Sequence, residues 1–146
     1  MAKMTRINHI AITSDNMEHS LKLWQDCLGL EVKRVEDVPG MNLVVAFLPI
    51  GESNVEFLLP MKAWDDVEPI FSQRKGMNHI CFEVDNIEEM MGCLKQNGIR
   101  MVQEIPLKLP GRKLAFLDPD CTDGILIELY ELEPGQELIY GNESAR

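Results

Sequence analysis

The stretch MNHICFEVDNIEEM, residues 77–90, decides the fold, because an earlier segment, INHIAITSDNME at residues 7–18, follows the same pattern. The shared Asn-His-Ile triplets begin at Asn8 and Asn78, an offset of 70 residues. Further matched segments are Asp15-Asn16 with Asp85-Asn86 and, after a single gap, Ala46-Phe47-Leu48 with Ala115-Phe116-Leu117. This self-similarity indicates that the chain contains two copies of one module.

Length and composition limit the class of protein. The chain has 146 residues, 45% of them hydrophobic, so we expect one domain made of two halves around a well-buried core. A net charge of −10 argues against nucleic acid or an anionic membrane as a partner, because both need clustered Lys and Arg. The 4 cysteines lack CxxC spacing and the first residues lack an apolar signal core, which predicts a cytoplasmic protein with reduced thiols. No apolar run approaches the roughly 20 residues of a transmembrane helix.

Hydrophobic periodicity gives the order of elements in each module. Residues 7–13 alternate as a strand does, Ser14 or Asp15 can cap the helix that follows, and Gly29 ends that helix. The predicted strands are 7–13, 30–35, 43–49 and 54–59, then 78–84, 99–104, 113–118 and 124–131, with a second helix at about 86–97. The expected class is therefore α+β, with tandem βαβββ modules at about 5–60 and 76–132, a linker helix at 61–75 and a polar tail at 133–146.

Each module carries a histidine on its first strand and a glutamate on its last strand. The pairs are His9 with Glu56 and His79 with Glu128, separated by 47 and 49 residues. An acid among aliphatic neighbours costs several kcal/mol to bury unless a partner or a metal compensates its charge. A lone strand histidine is more often a packed or solvated residue, but corresponding positions in two copies favour a site for Zn²⁺, Co²⁺, Ni²⁺ or Mn²⁺. His19, in the first helix, is interpreted as an exposed residue.

These motifs together resemble the vicinal oxygen chelate superfamily, which includes glyoxalases and bleomycin resistance proteins. The segments that carry the resemblance are His9-Ile10-Ala11, Leu21-Lys22-Leu23-Trp24, Leu28-Gly29-Leu30, residues 76–87 and Gly124-Ile125-Leu126-Ile127-Glu128-Leu129. The resemblance spans about residues 6–132, and within the superfamily the chain is most similar to the methylmalonyl-CoA epimerases. The long loop at 118–123 before the last strand favours the epimerases over the glyoxalases.

The resemblance implies a glyoxalase-like fold in which paired modules form a curved mixed sheet around a metal cleft, with His9, Glu56, His79 and Glu128 as ligands. It also implies a metal-dependent isomerase that epimerises the α-carbon of an acyl-CoA thioester through an enolate chelated by the metal. Co²⁺ is the expected ion, with Ni²⁺, Zn²⁺ and Mn²⁺ as alternatives. Glu128 and Glu56 are the candidate bases, Glu128 being favoured by analogy with the glyoxalase reaction. Where one form of the epimerases carries a further catalytic Glu, this chain has Leu43.

The substrate and the assembly are less sharply indicated. Lys108, Arg112 and Lys113 form the densest basic group and are candidate anchors for coenzyme A, with a solvated loop as the alternative interpretation. Asn78-His79 stands where epimerases commonly have His-His. Asp118-Pro119-Asp120 stands where they commonly have His-Pro-Lys, and the loss of that Lys makes the local electrostatic field less favourable to an anionic substrate. The resemblance makes a homodimer the expected assembly.

Other functions of the same fold stay open. A lactoylglutathione lyase would use the same metal chemistry on a glutathione hemithioacetal. A metal-free ligand-binding protein of the bleomycin resistance kind would not need four intact ligand positions. An extradiol dioxygenase uses two histidines and one glutamate on iron, usually in a chain about twice as long.

Overall fold

The computed structural model describes residues 1–136, and these divide into two compact units. The histidine unit consists of Met1–His9 with residues 79–136, and the Glu56 unit consists of Ile10–Asn78. In chain order the elements are β1 (Met4–Thr13), α1 (Met17–Leu21), β2 (Arg34–Val38), β3 (Leu43–Ile50), β4 (Ser53–Pro60), α2 (Pro69–Ser72), β5 (Met77–Val84), α3 (Ile87–Gln96), β6 (Leu107–Leu109), β7 (Arg112–Phe116) and β8 (Ile127–Leu132). No helix within residues 1–136 is both long and apolar enough to cross a membrane.

The Glu56 unit is a sheet with strand order β2-β3-β4-β1, in which β2, β3 and β4 are antiparallel neighbours. The register sets Ala46 opposite Phe57 and Phe47 opposite Glu56, so these two pairs face opposite sides of the sheet. The Ala46 side packs against α1 and the π-helical turn Lys22–Cys27 that continues it. The core residues on this side are Ala46, Leu48, Val55 and Phe57, with Met17, Leu21 and Trp24 from the helical segment.

The histidine unit has the strand order β1-β5-β8-β7-β6, with β5 and β8 parallel and the β8, β7 and β6 pairs antiparallel. One face of this mixed sheet packs against α3. There Ile87, which is fully buried, and Met91 contact Ala115 and Leu129 of the strands. Burial of each large aliphatic side chain contributes about 1.5–3 kcal/mol, so this face anchors the helix.

The internal repeat is visible in the caps of the two helices. Asn16 Oδ1 accepts the His19 N–H at 3.1 Å, and Asn86 Oδ1 accepts the Glu89 N–H at 3.0 Å. An Asn cap of this kind stabilises a helix by about 1 kcal/mol. The expectation that Ser14 or Asp15 would be the cap is wrong, because the Asp15 carboxylate instead accepts the Trp64 indole N–H at 2.7 Å.

The α+β class is confirmed, and most predicted strands lie within a few residues of the observed ones. The strand expected at 99–104 is reduced to a bridge between Met101 and Leu117. A side chain replaces the backbone there, since Gln103 Oε1 accepts the Phe116 N–H at 2.7 Å. The short strand β6 lies where a loop was expected.

Two further boundaries differ from the expectation. The strand predicted at 30–35 begins at Arg34, because the Leu30 N–H still bonds to the Trp24 carbonyl oxygen of the helical turn at 3.0 Å. The linker helix predicted at 61–75 is limited to α2 and a 3₁₀ turn at Trp64–Asp66. The single-domain assignment and the module boundaries stay predictions, and the polar tail from residue 137 lies outside the described residues.

Candidate metal centre

The candidate site lies on the face of the histidine unit's sheet opposite α3. The register of β8 sets Glu128 opposite Phe116 of β7 and beside Cys81 of β5. Directly paired residues share a face, and Leu129, the next residue along β8, points to the helix instead. Strand alternation therefore separates the apolar core from a face that carries His79, Cys81 and Glu128.

Three side chains of this face converge on one point. Nε2 of His9 lies 3.2 Å from Nε2 of His79 and 3.6 Å from Oε2 of Glu128, and His79 Nε2–H donates to the same Oε2 at 2.6 Å. His9 is 0%, His79 4% and Glu128 3% exposed. Two imidazoles and a carboxylate thus point their donor atoms at each other in a place shielded from water.

The ring of His9 is held by its chain neighbour Asn8. Oδ1 of Asn8 lies 2.7 Å from Nδ1 of His9 and accepts its N–H. A neutral imidazole with hydrogen on Nδ1 has its lone pair on Nε2, which is the nitrogen that faces His79. This arrangement directs the lone pair of His9 Nε2 to the point where the three side chains converge.

Aromatic rings fix the planes of both imidazoles. Tyr130 meets His9 edge to face at a centroid distance of 5.1 Å, and Phe116 meets His79 in the same way at 5.3 Å. Tyr130 follows Glu128 by two residues on β8 and therefore shares its face. These contacts limit rotation of the two rings and exclude water from them.

The electrostatics of Glu128 result from two opposing effects. Burial raises the pKa of its carboxyl group, but attraction to His79 and the hydrogen bond from His79, with a smaller influence of the nearby His9 ring, outweigh burial and lower this pKa to about 2. Glu128 is therefore ionised at neutral pH. A buried carboxylate held by two histidines is a favourable environment for a cation.

The donor set fits a divalent transition metal. His9, Cys81 and Glu128 are all buried, and each offers one ligand atom within 4.8 Å of the others. With Nε2 of His79 hydrogen-bonded to the same Glu128 oxygen, the group supplies nitrogen, oxygen and sulfur donors of the kinds that Zn²⁺ and Co²⁺ accept. Cys81 shares the face because it pairs with Glu128 and lies two residues after His79 on β5.

Glu56 belongs to the other unit, where it occupies an equivalent position. It lies on β4 opposite Phe47, as Glu128 lies on β8 opposite Phe116. Its exposed fraction is 4%, close to the 3% of Glu128. The repeat therefore extends to the surroundings of the two carboxylates, while the four-ligand set stays a prediction.

The three basic candidates have different surroundings within the histidine unit. Arg112 is 2% exposed and stacks on the Tyr130 ring at 5.4 Å, and its Nη1 donates to the Pro110 carbonyl at 3.0 Å. Lys113 donates to Glu88 at 2.8 Å, and Lys108 lies opposite it on the exposed edge strand β6. Since consecutive strand residues point to opposite faces, Arg112 and Lys113 cannot grip one group together, and their role in binding coenzyme A stays a prediction.

Sequence reasoning missed the residues that support the histidines. Asn8 and Phe116 are part of the internal repeat, but no sequence motif marks them or Tyr130 as functional. Two signals were available in the sequence: Tyr130 lies two residues after Glu128, as residues on one face of a strand do, and Asn8 directly precedes His9. The Asp118 carboxylate, expected to repel an anion, accepts the Asp120 N–H at 2.9 Å and the Arg100 Nε–H at 3.0 Å. These two bonds hold the pKa of Asp118 below its usual range.

Fold and donor set agree with a known family. The family model described as the Glyoxalase/Bleomycin resistance protein/Dioxygenase superfamily matches residues 6–129, and the chain belongs to this superfamily.

Individual proteins and solved structures are also similar to this chain. A mitochondrial methylmalonyl-CoA epimerase of Mus musculus is 32% identical over 130 residues, which are 87% of this chain and 73% of the mouse protein. The crystal structure of a hypothetical protein of Bacillus halodurans is 31% identical, with a TM-score of 0.81 over 93% of this chain and 98% of the other. A methylmalonyl-CoA epimerase in complex with methylmalonyl-CoA and NH₄⁺ is 22% identical and shares the fold, with a TM-score of 0.80 over 92% of this chain and 99% of that one.

Proposed function

We propose that this protein is a divalent-metal-dependent epimerase that inverts the α-carbon of an acyl-CoA thioester of the methylmalonyl-CoA type. The observation that carries the proposal is the buried convergence of His9, His79 and Glu128 in a chain 32% identical to such an epimerase. The reaction removes a weakly acidic proton beside a thioester carbonyl and returns a proton to the opposite face.

The histidines and Glu128 supply the ligands for the ion. His9 and His79 would bind it through Nε2, and Glu128 through Oε2. When bound, a divalent ion supplies a Lewis acid that stabilises negative charge on the substrate oxygens by several kcal/mol. Co²⁺ is the proposed ion, and Ni²⁺, Zn²⁺ and Mn²⁺ suit the same donors.

Glu128 is the proposed acceptor of the α-proton. While it is bonded to His79 its pKa of about 2 makes it ionised but weakly basic. Rotation away from His79 removes the interaction that lowers the pKa, whereas burial, which raises it, remains. The C–H electron pair then passes into the thioester carbonyl as the proton moves to the carboxylate.

Glu56 is the proposed second carboxylate, which returns a proton from the other side. Its equivalence to Glu128 in the repeat supports this role. Leu43, at the place of a catalytic Glu in one epimerase form, has a hydrocarbon side chain and cannot transfer a proton. The second base must then be another residue, and Glu56 is a buried carboxylate on the neighbouring strand of the same unit.

Isotope exchange tests the proposal. The cobalt-loaded protein is incubated in D₂O with (2R)- or (2S)-methylmalonyl-CoA, and the α-proton and the stereocentre are followed separately. Glu128→Gln and Glu56→Gln should each lower epimerisation at least about 100-fold, while one enantiomer retains exchange in each variant. The matched control is Glu88→Gln, an exposed glutamate on α3 whose loss should leave both rates unchanged.

The alternatives give different results in the same experiments. Bound metal without α-proton exchange, together with turnover of a glutathione hemithioacetal, would replace the proposal by a lactoylglutathione lyase. Absence of stoichiometric metal would favour a ligand-binding protein.

We also propose a cytoplasmic homodimer and an anchoring role for Lys108, Arg112 and Lys113. Lys108 is the exposed member of the three. Lys108→Ala should raise KM for the coenzyme A thioester more than for a pantetheine thioester that lacks the phosphates. Sedimentation of the purified protein tests the dimer.

A further inference from the structure

A hydrogen-bonded chain leads to the candidate centre through side chains that the proposed reaction does not use. Arg6 donates to both oxygens of Glu83, from Nε at 3.1 Å and from Nη2 at 3.2 Å. Glu83 Oε2 also accepts from Nδ2 of Asn8 at 3.3 Å. Oδ1 of Asn8 faces Nδ1 of His9 at 2.7 Å, and Nε2 of His9 faces the centre.

The chemistry of these groups allows one orientation of the Asn8 amide. An ionised carboxylate only accepts hydrogen bonds, so the group of Asn8 that faces Glu83 must be the NH₂. The amide oxygen then faces His9 and only accepts. Nδ1 of His9 must therefore carry a hydrogen, which in the neutral imidazole leaves the lone pair on Nε2.

Burial makes this orientation costly to reverse. Asn8 is fully buried and Glu83 is 7% exposed, so water cannot replace the lost bonds. A flipped amide would set its oxygen against the Glu83 carboxylate and its NH₂ against His9. Leaving a buried charged group without its hydrogen-bond partner costs several times more free energy than doing so at an exposed position. The two-pronged contact from Arg6 fixes the carboxylate that enforces the orientation.

The internal repeat shows that the Asn-His motif does not by itself produce this series of hydrogen bonds. Asn78, the counterpart of Asn8, donates instead to the carbonyls of Phe71 and Arg74 at 2.9 and 3.2 Å. The position 70 residues before Glu83 is Thr13, so the first copy lacks the carboxylate. For Asn8 the acceptor is instead the Glu83 carboxylate, which Arg6 holds.

We infer that Glu83, held by Arg6, is a positioning residue that selects the Nδ1–H form of His9 through Asn8 and so keeps Nε2 available as a metal ligand. The consequence for metal affinity rests on the proposed function, whereas the tautomer of His9 does not. Metal-ligating histidines are commonly oriented by such partners, whose loss costs about 10–100-fold in affinity.

The first test reads the tautomer in metal-free protein. Long-range ¹H–¹⁵N NMR distinguishes protonated from unprotonated ring nitrogens, and the 3 histidines can be assigned with His19→Gln and His79→Gln. Wild type should show hydrogen on Nδ1 of His9. Glu83→Gln, which keeps the shape of the side chain, should populate the Nε2–H form as well.

The second test measures Co²⁺ affinity in a double-mutant cycle of Glu83→Gln and Asn8→Leu. Each single variant should weaken binding by about 10–100-fold. If Glu83 acts only through Asn8, its substitution should have no further effect in the Asn8→Leu background. Asn8→Ala serves in the cycle if the leucine variant does not fold. Glu131→Gln is the matched control, because Glu131 accepts the Ile87 N–H and faces the helix side of the same sheet.

The outcomes separate the inference from the proposed function. An unchanged His9 tautomer in Glu83→Gln, or additive losses in the cycle, would overturn the inference. A wild-type protein with the Nδ1–H form but no Co²⁺ binding would support the inference and refute the metal centre.

Discussion

Replacing Glu128 by Gln in the metal-free protein should remove one acid-dependent part of its stability. The Glu128 pKa is about 2 in the folded protein, whereas the ordinary pKa of a glutamate side chain is 4.5. This difference, at about 1.4 kcal/mol per pKa unit, corresponds to about 3 kcal/mol. The side chain is 4% exposed, so solvent screening reduces this value little.

The sign follows from the direction of the shift. A carboxyl group with a depressed pKa stabilises the folded protein above its unfolded pKa and loses this contribution as the pH falls through its folded pKa. The Glu128 contribution is therefore complete above about pH 5 and declines towards pH 2. Between pH 6 and pH 3 wild type should lose about 2 kcal/mol of unfolding free energy that Glu128→Gln does not lose.

Urea unfolding of metal-free protein at several pH values, followed by tryptophan fluorescence, measures this difference. Glu88→Gln is the control, because Lys113 lowers the pKa of Glu88 while its side chain is 55% exposed, so its contribution should be small. Parallel pH dependences in wild type and Glu128→Gln would refute the placement of Glu128 between His9 and His79.

Other predictions test the centre and the core separately. His79→Gln should weaken Co²⁺ binding by at least about 100-fold, whereas His19→Gln, on an exposed helix surface, should leave the dissociation constant unchanged. Leu129→Ala should lower the free energy of unfolding by about 2–5 kcal/mol in urea titrations, since Leu129 is fully buried against α3, and a smaller loss would indicate that the core is loosely packed.

Much of the fold was predictable because its signals are local and repeated. Strand alternation places His79 and Cys81 on one face, and the repeat sets Glu56 and Glu128 at equivalent positions. The helix caps were harder, because Ser14, Asp15 and Asn16 can all accept a backbone N–H. Which of them caps the helix depends on the hydrogen bonds that the other two make elsewhere. Asp15 accepts a hydrogen bond from Trp64, which is distant in sequence.

Irregular segments were predicted less well for the same reason. The segment at 99–104 has the composition of a strand, yet the Gln103 side chain takes the backbone hydrogen bond of Phe116 that a strand would have formed. A side chain that competes with the backbone leaves no periodic signal. The consecutive basic residues Arg112 and Lys113 look like one patch in the sequence, but strand geometry points one inward and pairs the other with Glu88.

The sequence by itself determined the duplicated module, the α+β class and the residue types able to bind a metal, because periodicity and repetition follow from the backbone geometry of strands and helices. Only the tertiary structure decided how those residues act together. The convergence of His9, His79 and Glu128, the low pKa of Glu128 and the chain from Arg6 through Glu83 and Asn8 depend on contacts between residues far apart in the sequence. Such contacts obey no period along the chain, since they are fixed by the pairing of whole strands.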